Sequence, residues 1–212
     1  HENTVLCQIM EQLKETDEPD IEDLTEFVKT ITNKKNPSTK KNDKEFLWSG
    51  ERSMVDLCEM VKKYYYSPFT KGSNSIKYIL PAILNESDFL KEKYSKPIYG
   101  NEIKSFGFKD HQWIKVDKDG VVINPYNTLP PIFNKYDYDE LELVMSDSDI
   151  NNGGAALMAY AMMQFTHMSE QERKKVETAL LRYCELDTFA MVMIWEHWNE
   201  LIKEKHKLED AA

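Results

Sequence analysis

Tyr183 and Asp187 stand four residues apart in the segment Leu180-Leu181-Arg182-Tyr183-Cys184-Glu185-Leu186-Asp187-Thr188. On a helix this spacing puts a phenol and a carboxylate on one face, one turn apart. Such a pair suits phosphoryl transfer with two metal ions, in which an aspartate holds a divalent cation beside a phosphate and a tyrosine orients the attacking water. The same spacing also serves an amphipathic helix whose buried stripe ends in Tyr and Asp, so the pair alone leaves both readings open. Gly72-Ser73-Asn74-Ser75-Ile76-Lys77 is the second segment with chemistry. Gly72 permits a tight turn, Ser73 and Ser75 can cap a helix over 76–84, and Lys77 in its first turns can meet a phosphate. Plain capping accounts for Ser75 equally well, and a lysine near a helix N-terminus attracts any surface anion.

These segments have a fixed order along the chain. Met54-Val55-Asp56-Leu57-Cys58-Glu59-Met60-Val61 comes first, then Tyr64-Tyr65-Tyr66-Ser67-Pro68, then Gly72 to Pro81, and last Tyr183-Cys184-Glu185-Leu186-Asp187-Thr188-Phe189-Ala190-Met191. The order resembles the DEDD-type 3'-5' exonucleases of the RNase H-like superfamily. It is most similar to an uncharacterised bacterial family in which such a region commonly sits behind a RecB-like PD-(D/E)XK nuclease domain. The resemblance covers about 1–10, 51–84 and 150–202. It implies metal-dependent hydrolysis of nucleic-acid ends, single-stranded, with Mg²⁺ or Mn²⁺. Asp187 and Glu2 would be metal ligands, Tyr183 would orient the water, and Lys77 and Ser75 would contact the substrate.

DEDD exonucleases draw four carboxylates from three motifs. His1-Glu2-Asn3-Thr4-Val5-Leu6 is similar to the second motif, with Glu2 in the acidic position. The first motif, Asp-x-Glu, is therefore expected upstream of residue 1. The chain is expected to be the C-terminal part of a longer protein and inactive alone. A fused or partner PD-(D/E)XK nuclease and a homodimer formed through exposed sheet edges belong to the same expectation. Two rivals keep the scaffold without the chemistry: a helical interaction module, and a domain that holds nucleic acid without cutting it.

Composition removes several other classes. The 212 residues carry 27 Lys and Arg against 37 Asp and Glu, a formal charge of -10. That balance disfavours binding of nucleic acid through a broad basic surface, though bound metal ions cancel local negative charge. Neither Gly-x-Gly-x-x-Gly nor Gly-x-x-x-x-Gly-Lys occurs, and no serine sits in a Gly-x-Ser-x-Gly elbow. The five histidines show no His-Glu-x-x-His spacing. Cys7, Cys58 and Cys184 form no Cys-x-x-Cys pair and are expected as buried, reduced thiols. The longest strongly apolar run, 189–195, falls well short of the roughly 20 residues of a spanning helix, and a cytoplasmic location is expected.

The elements that must position these residues follow from periodicity. The pattern reads as one α/β domain over 1–212: a mostly helical C-terminal part of an RNase H-like exonuclease fold, with 85–149 as an insertion or lid containing a β-hairpin. Apolar spacing predicts helices over 2–15 and 21–31. The lysine-rich 33–44 is either a solvated loop or a finger that tracks a strand. Tyr64 to Tyr66 are expected mainly in packing, with one ring available to stack on a base. Trp113 to Asp117 and Val121 to Ile123 form a hairpin around Lys118-Asp119-Gly120. Tyr99, Phe106, Phe108, Trp113 and Tyr126 make either a small core under long loops or a base-stacking platform. The acidic run 137–142 reads as solvated, and Asp147 and Asp149 as caps of a helix from about 153. Ser169-Glu170-Gln171-Glu172 is a capping box. Because one helix from there to about Lys205 would be unusually long, a break is expected between Tyr183 and Thr188, with Asp187 starting the second helix. Met191, Ile194, Trp195 and Trp198 would pack that helix into the core.

Overall fold

A computed structural model describes residues 2–36, 45–129 and 153–210. The expected acidic run 137–142 and the caps Asp147 and Asp149 lie outside these residues, as does most of the lysine-rich loop. The described chain is helix-rich and α/β only in a coarse sense: seven α-helices and one two-stranded antiparallel sheet. Its contacts fall into two compact units, 1–57 and 58–212.

The first unit holds α1 (Glu2–Leu13), α2 (Ile21–Ile31), β1 (Asn33–Lys35) and β2 (Phe46–Ser49). Met10 and Val28 are buried at its centre. Thr32 fixes the passage from helix to strand. Its fully buried hydroxyl donates to Val28 O at 2.7 Å and accepts from Trp48 Nε1 at 3.2 Å, tying α2 to β2. The Asn3 amide then clasps Asn33 in both directions, each bond 2.9 Å, which holds α1 to β1. Gly50 must be glycine because a Cβ there would lie 2.3 Å from Lys29 O and Thr30 O.

The second unit is arranged around a single helix. Besides α3 (Leu57–Tyr64), which runs into it from the boundary, it contains α4 (Ile76–Glu86), α5 (Asp88–Tyr94), α6 (Gly153–Phe165) and α7 (Glu170–Asp210), with 3-10 turns at Pro68–Thr70 and Pro125–Thr128. The capping box starts α7 as expected. Ser169 Oγ accepts from Glu172 N at 3.2 Å, and the Glu172 carboxylate accepts from Ser169 N at 2.9 Å. The expected break does not occur: α7 runs unbroken for 41 residues, and Asp187 stands mid-helix rather than at a start. No Gly or Pro interrupts 170–210, and Thr188 satisfies its own hydroxyl on Cys184 O at 3.0 Å without opening the helix.

The core lies where α7 meets α4 and α5. Leu186, Ala190, Met193 and Ile194 from α7 pack with Ile79, Leu80, Ile83 and Leu84 from α4 and Leu90 and Tyr94 from α5. Of the four residues expected to face inward from α7, Ile194 is buried and Trp198 partly so, whereas Met191 and Trp195 are exposed. The described part of the expected insertion contributes to the core. Tyr99, Trp113, Ile114 and Val122 are all buried in the same cluster. Tyr99, Phe108 and Trp113 join Phe189 in edge and tilted ring contacts, so the small-core reading applies to them, while Phe106 is fully exposed. The hairpin is present in miniature: a single Val116–Val122 bridge, with Asp117 N bonded to Val121 O and Gly120 at φ 78°. The three thiols are free, but Cys58 and Cys184 are exposed, contrary to expectation, because their positions on α3 and α7 face away from the core.

Two measurements test this packing. Leu186 is fully buried, so Leu186→Ala should lower the unfolding free energy by about 2–5 kcal/mol in a urea titration. His111 is held below its ordinary pKa, first by burial against Phe108 and Trp113 and then by the nearby Lys115 and Arg182 charges. A depressed histidine binds its proton more readily when unfolded, so this contribution is complete above an unfolded pKa of about 6.5 and is lost as the pH falls below it. Denaturation midpoints at pH 7.5 and 5.5 should therefore differ less in His111→Phe than in the wild-type protein.

Candidate functional site

Tyr183 and Asp187 share a face of α7, as their spacing predicts, and that face meets the start of α4. Lys77, in the first turn of α4, places Nζ 5.0 Å from the Tyr183 ring centre and 5.4 Å from that of Tyr126. Tyr126 donates its hydroxyl to Asp187 Oδ1 at 2.6 Å. Two rings 6.0 Å apart, a cation and a carboxylate thus form one cluster in the second unit.

A proline and an asparagine set its geometry. Pro81 lies inside α4, four residues after Lys77, and has no N–H to give the Lys77 carbonyl its helical bond. Asn124 Nδ2 takes that place, donating to Lys77 O at 3.3 Å. The Asn124 Oδ1 in turn accepts from Tyr126 N at 3.2 Å and caps the Pro125–Thr128 turn. The gap that Pro81 leaves in α4 therefore docks the turn that carries Tyr126, and Tyr126 reaches Asp187.

Burial governs the electrostatics. Desolvation lowers the Lys77 pKa, with the Asp187 charge opposing it. Desolvation also raises the Asp187 pKa, against the Tyr126 hydrogen bond and the Lys77 charge. Burial pushes both phenols well above their ordinary range, and the neighbouring Asp187 carboxylate adds to the shift. Tyr126 and Tyr183 are therefore neutral hydrogen-bonding groups at any physiological pH. Lys77 Nζ is buried and has no hydrogen-bond partner among the described residues. Contact with two aromatic faces offsets part of that cost and leaves its three N–H donors unspent.

The other residues singled out in the sequence are placed differently. Ser75 occupies the N-cap position of α4 and is exposed, but its side chain makes no capping bond; Ser73 Oγ instead accepts from Ser75 N at 3.2 Å. Glu2 is exposed in the first turn of α1, in the other unit. Glu185, between Tyr183 and Asp187 in sequence, turns to another side, where it accepts from Tyr99 and Gly107 N, each at 2.9 Å, and from Ser105. Among the described residues Asp187 is the one acidic side chain in the cluster, with one of its oxygens already bonded. Among the described residues no three His, Cys, Asp or Glu side chains gather as metal ligands. Among the described residues, one carboxylate alone does not complete a two-metal centre. Tyr126 was missed as a site residue, and the signal that could have found it is the polar Asn124-Pro125-Tyr126 turn beside a proline-containing helix.

No protein-family model, curated protein or solved structure matches the chain. None of the described helices is long and apolar enough to cross a membrane.

Replacing Tyr126 with Phe keeps the ring beside Lys77 and deletes the donor to Asp187. The unfolding free energy should fall by about 1–3 kcal/mol, since a partly buried carboxylate loses a hydrogen bond it needs. A urea titration of Tyr126→Phe at neutral pH measures it.

Proposed function

We propose that the chain is an exonuclease-like module that holds a phosphate of a single-stranded nucleic-acid end at the Lys77–Tyr183–Asp187 cluster and does not by itself cleave the strand. The observation that carries this reading is the buried Lys77 ammonium without a hydrogen-bond partner among the described residues. A buried cation lacking acceptors is costly, and a phosphate oxygen satisfies it with charge-assisted bonds. That Lys77, Tyr183 and Asp187 come together supports the resemblance to DEDD-type exonucleases, whose RNase H-like fold and cytoplasmic setting remain part of the proposal. In this reading Asp187 and Glu2 are each candidate ligands of Mg²⁺ or Mn²⁺, Tyr183 is the group that would orient water, and Ser75 is a lesser strand contact. A partner or fused PD-(D/E)XK nuclease, or a second copy of the chain, belongs to the same proposal.

Hydrolysis by two metal ions needs several carboxylates around the reacting phosphate. A cluster with one carboxylate among the described residues is suited to recognition of the phosphate, which is why binding without cleavage is proposed for the chain alone.

Labelled single-stranded DNA and RNA, incubated with the chain and Mn²⁺, should bind with a steep salt dependence and keep their length. Lys77→Gln should weaken binding about tenfold, the loss of a hydrogen bond to a charged group. Shortening of the strand that Asp187→Ala abolishes would show a complete catalytic site and overturn the binding-only reading. Absence of any strand binding would move the assignment to a helical interaction module.

A further inference from the structure

The stretch 62–71 alternates sharply between inside and outside. Tyr65 faces the core, where its ring lies against Trp198 and its hydroxyl donates to Glu86 at 2.9 Å. Its neighbours Tyr64 and Tyr66 are 81% and 89% exposed, and Phe69 is 56% exposed. None of these three rings stacks on another aromatic side chain among the described residues. The backbone beneath them is fixed. Ser67 is buried, caps the Pro68–Thr70 turn by accepting from Phe69 N at 3.2 Å, and donates to Glu86. Thr70 Oγ1 closes the turn on Ser67 O at 2.8 Å, and Lys71 leaves it in the left-handed region at φ 52°. Three apolar rings are therefore held in water on a rigid support, a cost that a ligand face can repay.

The local charge is the opposite of the whole. In a chain of net charge -10, the stretch 58–71 carries Lys62, Lys63 and Lys71 against Glu59 and the Glu86 carboxylate bonded to Tyr65 and Ser67, so cations outnumber acids by one. Glu59 pairs with Lys62 at 2.7 Å, while Lys63 and Lys71 are exposed.

We infer that the surface formed by Tyr64, Tyr66, Phe69, Lys63 and Lys71 is a stacking platform for single-stranded nucleic acid. Exposed aromatic faces take unstacked bases of any sequence, and flanking cations take the backbone between them. Charge complementarity selects this occupant over an acidic or purely apolar protein surface, because the two exposed lysines need anions and flat ring faces need flat partners. The inference rests on the reading of the Lys77 cluster as a strand-end site. Lys77 comes six positions after Lys71, so the two surfaces lie within about 20 Å along the chain, a reach set by 3.3–3.6 Å per extended residue. A strand whose end sits at Lys77 would have its following bases carried by the platform.

Anisotropy with fluorescein-labelled oligothymidylate and oligouridylate tests this on the full chain. The expected result is a loss of about 5- to 100-fold in affinity for Tyr64→Ala and again for Tyr66→Ala, the range found for single base–aromatic stacks, with Tyr64→Phe binding as the wild type does. Lys63→Gln with Lys71→Gln should flatten the salt dependence by about two phosphate contacts and weaken both strands alike. Circular dichroism of the exposed-site variants should match the wild type, which separates lost binding from lost folding. Unchanged affinity in Tyr64→Ala and Tyr66→Ala, with weakening in Lys77→Gln, would overturn the platform and leave the strand-end site standing. No strand binding by the wild type would overturn both. Self-association in sedimentation that Tyr64→Ala and Tyr66→Ala abolish, without strand binding, would make the surface a protein contact and overturn the platform as well.

Discussion

The second unit depends on one constraint: α7 carries carboxylates on faces that the fold covers, and each must be given donors. Glu185 is met by the Tyr99 hydroxyl and Gly107 N, Asp187 by the Tyr126 hydroxyl, and Glu196 by the Tyr94 hydroxyl at 2.8 Å and Lys93 Nζ at 2.7 Å. A partly buried carboxylate without donors costs on the order of 1–3 kcal/mol or more, so these contacts are not optional. Each brings a different segment to the helix: the loop after α5, the Pro125–Thr128 turn, and α5 itself. Glu86 does the same on α4, taking the Tyr65 hydroxyl at 2.9 Å. Tyrosine fits this task because its ring contributes apolar burial while its hydroxyl supplies the donor. Apolar packing around Leu186 and Met193 supplies most of the favourable free energy, and the tyrosine–carboxylate pairs fix which segment docks at which turn of the helix.

The same logic explains why the cluster at Lys77 has its particular composition. Pro81 costs α4 one backbone bond, and the loss is made good by Asn124 from a distant turn. Asn124 uses both ends of its amide, one on α4 and one on its own turn. That double use leaves Tyr126 no freedom to swing away from Asp187. A helix defect in one element thereby positions a hydroxyl against a carboxylate in another, and the aromatic walls that enclose Lys77 follow from it.

Much of this was legible from residues. The α1 and α2 helices, the capping box at Ser169 and the tight Lys118-Asp119-Gly120 turn depend on local chemistry, and local chemistry is what sequence spacing reports. So was the shared face of Tyr183 and Asp187, which needs only that the segment be helical. The unbroken length of α7 was not, because a prior on helix length was set against a stretch without Gly or Pro, and composition prevailed. The role of 88–129 was also hidden. Its turn-rich, aromatic sequence looks like a peripheral loop, yet Trp113 and Tyr99 are core residues whose burial depends on α7 passing beneath them. Tyr126 stood out only as one of five aromatic residues for a core or a platform, and its bond to Asp187 was hidden because the two lie 61 residues apart. Long-range pairing of polar groups is the information that periodicity does not carry.

The cluster's protonation states limit what it can receive. Burial drives Asp187 and Lys77 toward neutrality from opposite directions, and each opposes that drift in the other through its charge. A phosphate brought to Lys77 changes the balance on both sides. It supplies the acceptors that the ammonium lacks and so favours the charged lysine, but it adds negative charge next to Asp187. One cation cannot offset two anions in a desolvated site, where Coulomb terms are several times stronger than in water. Asp187 must then either take up a proton or share a further cation. The first outcome leaves a site that holds a strand end and does nothing to it, whereas the second requires additional carboxylates to keep that cation in place. Binding without cleavage, as proposed above, corresponds to the first.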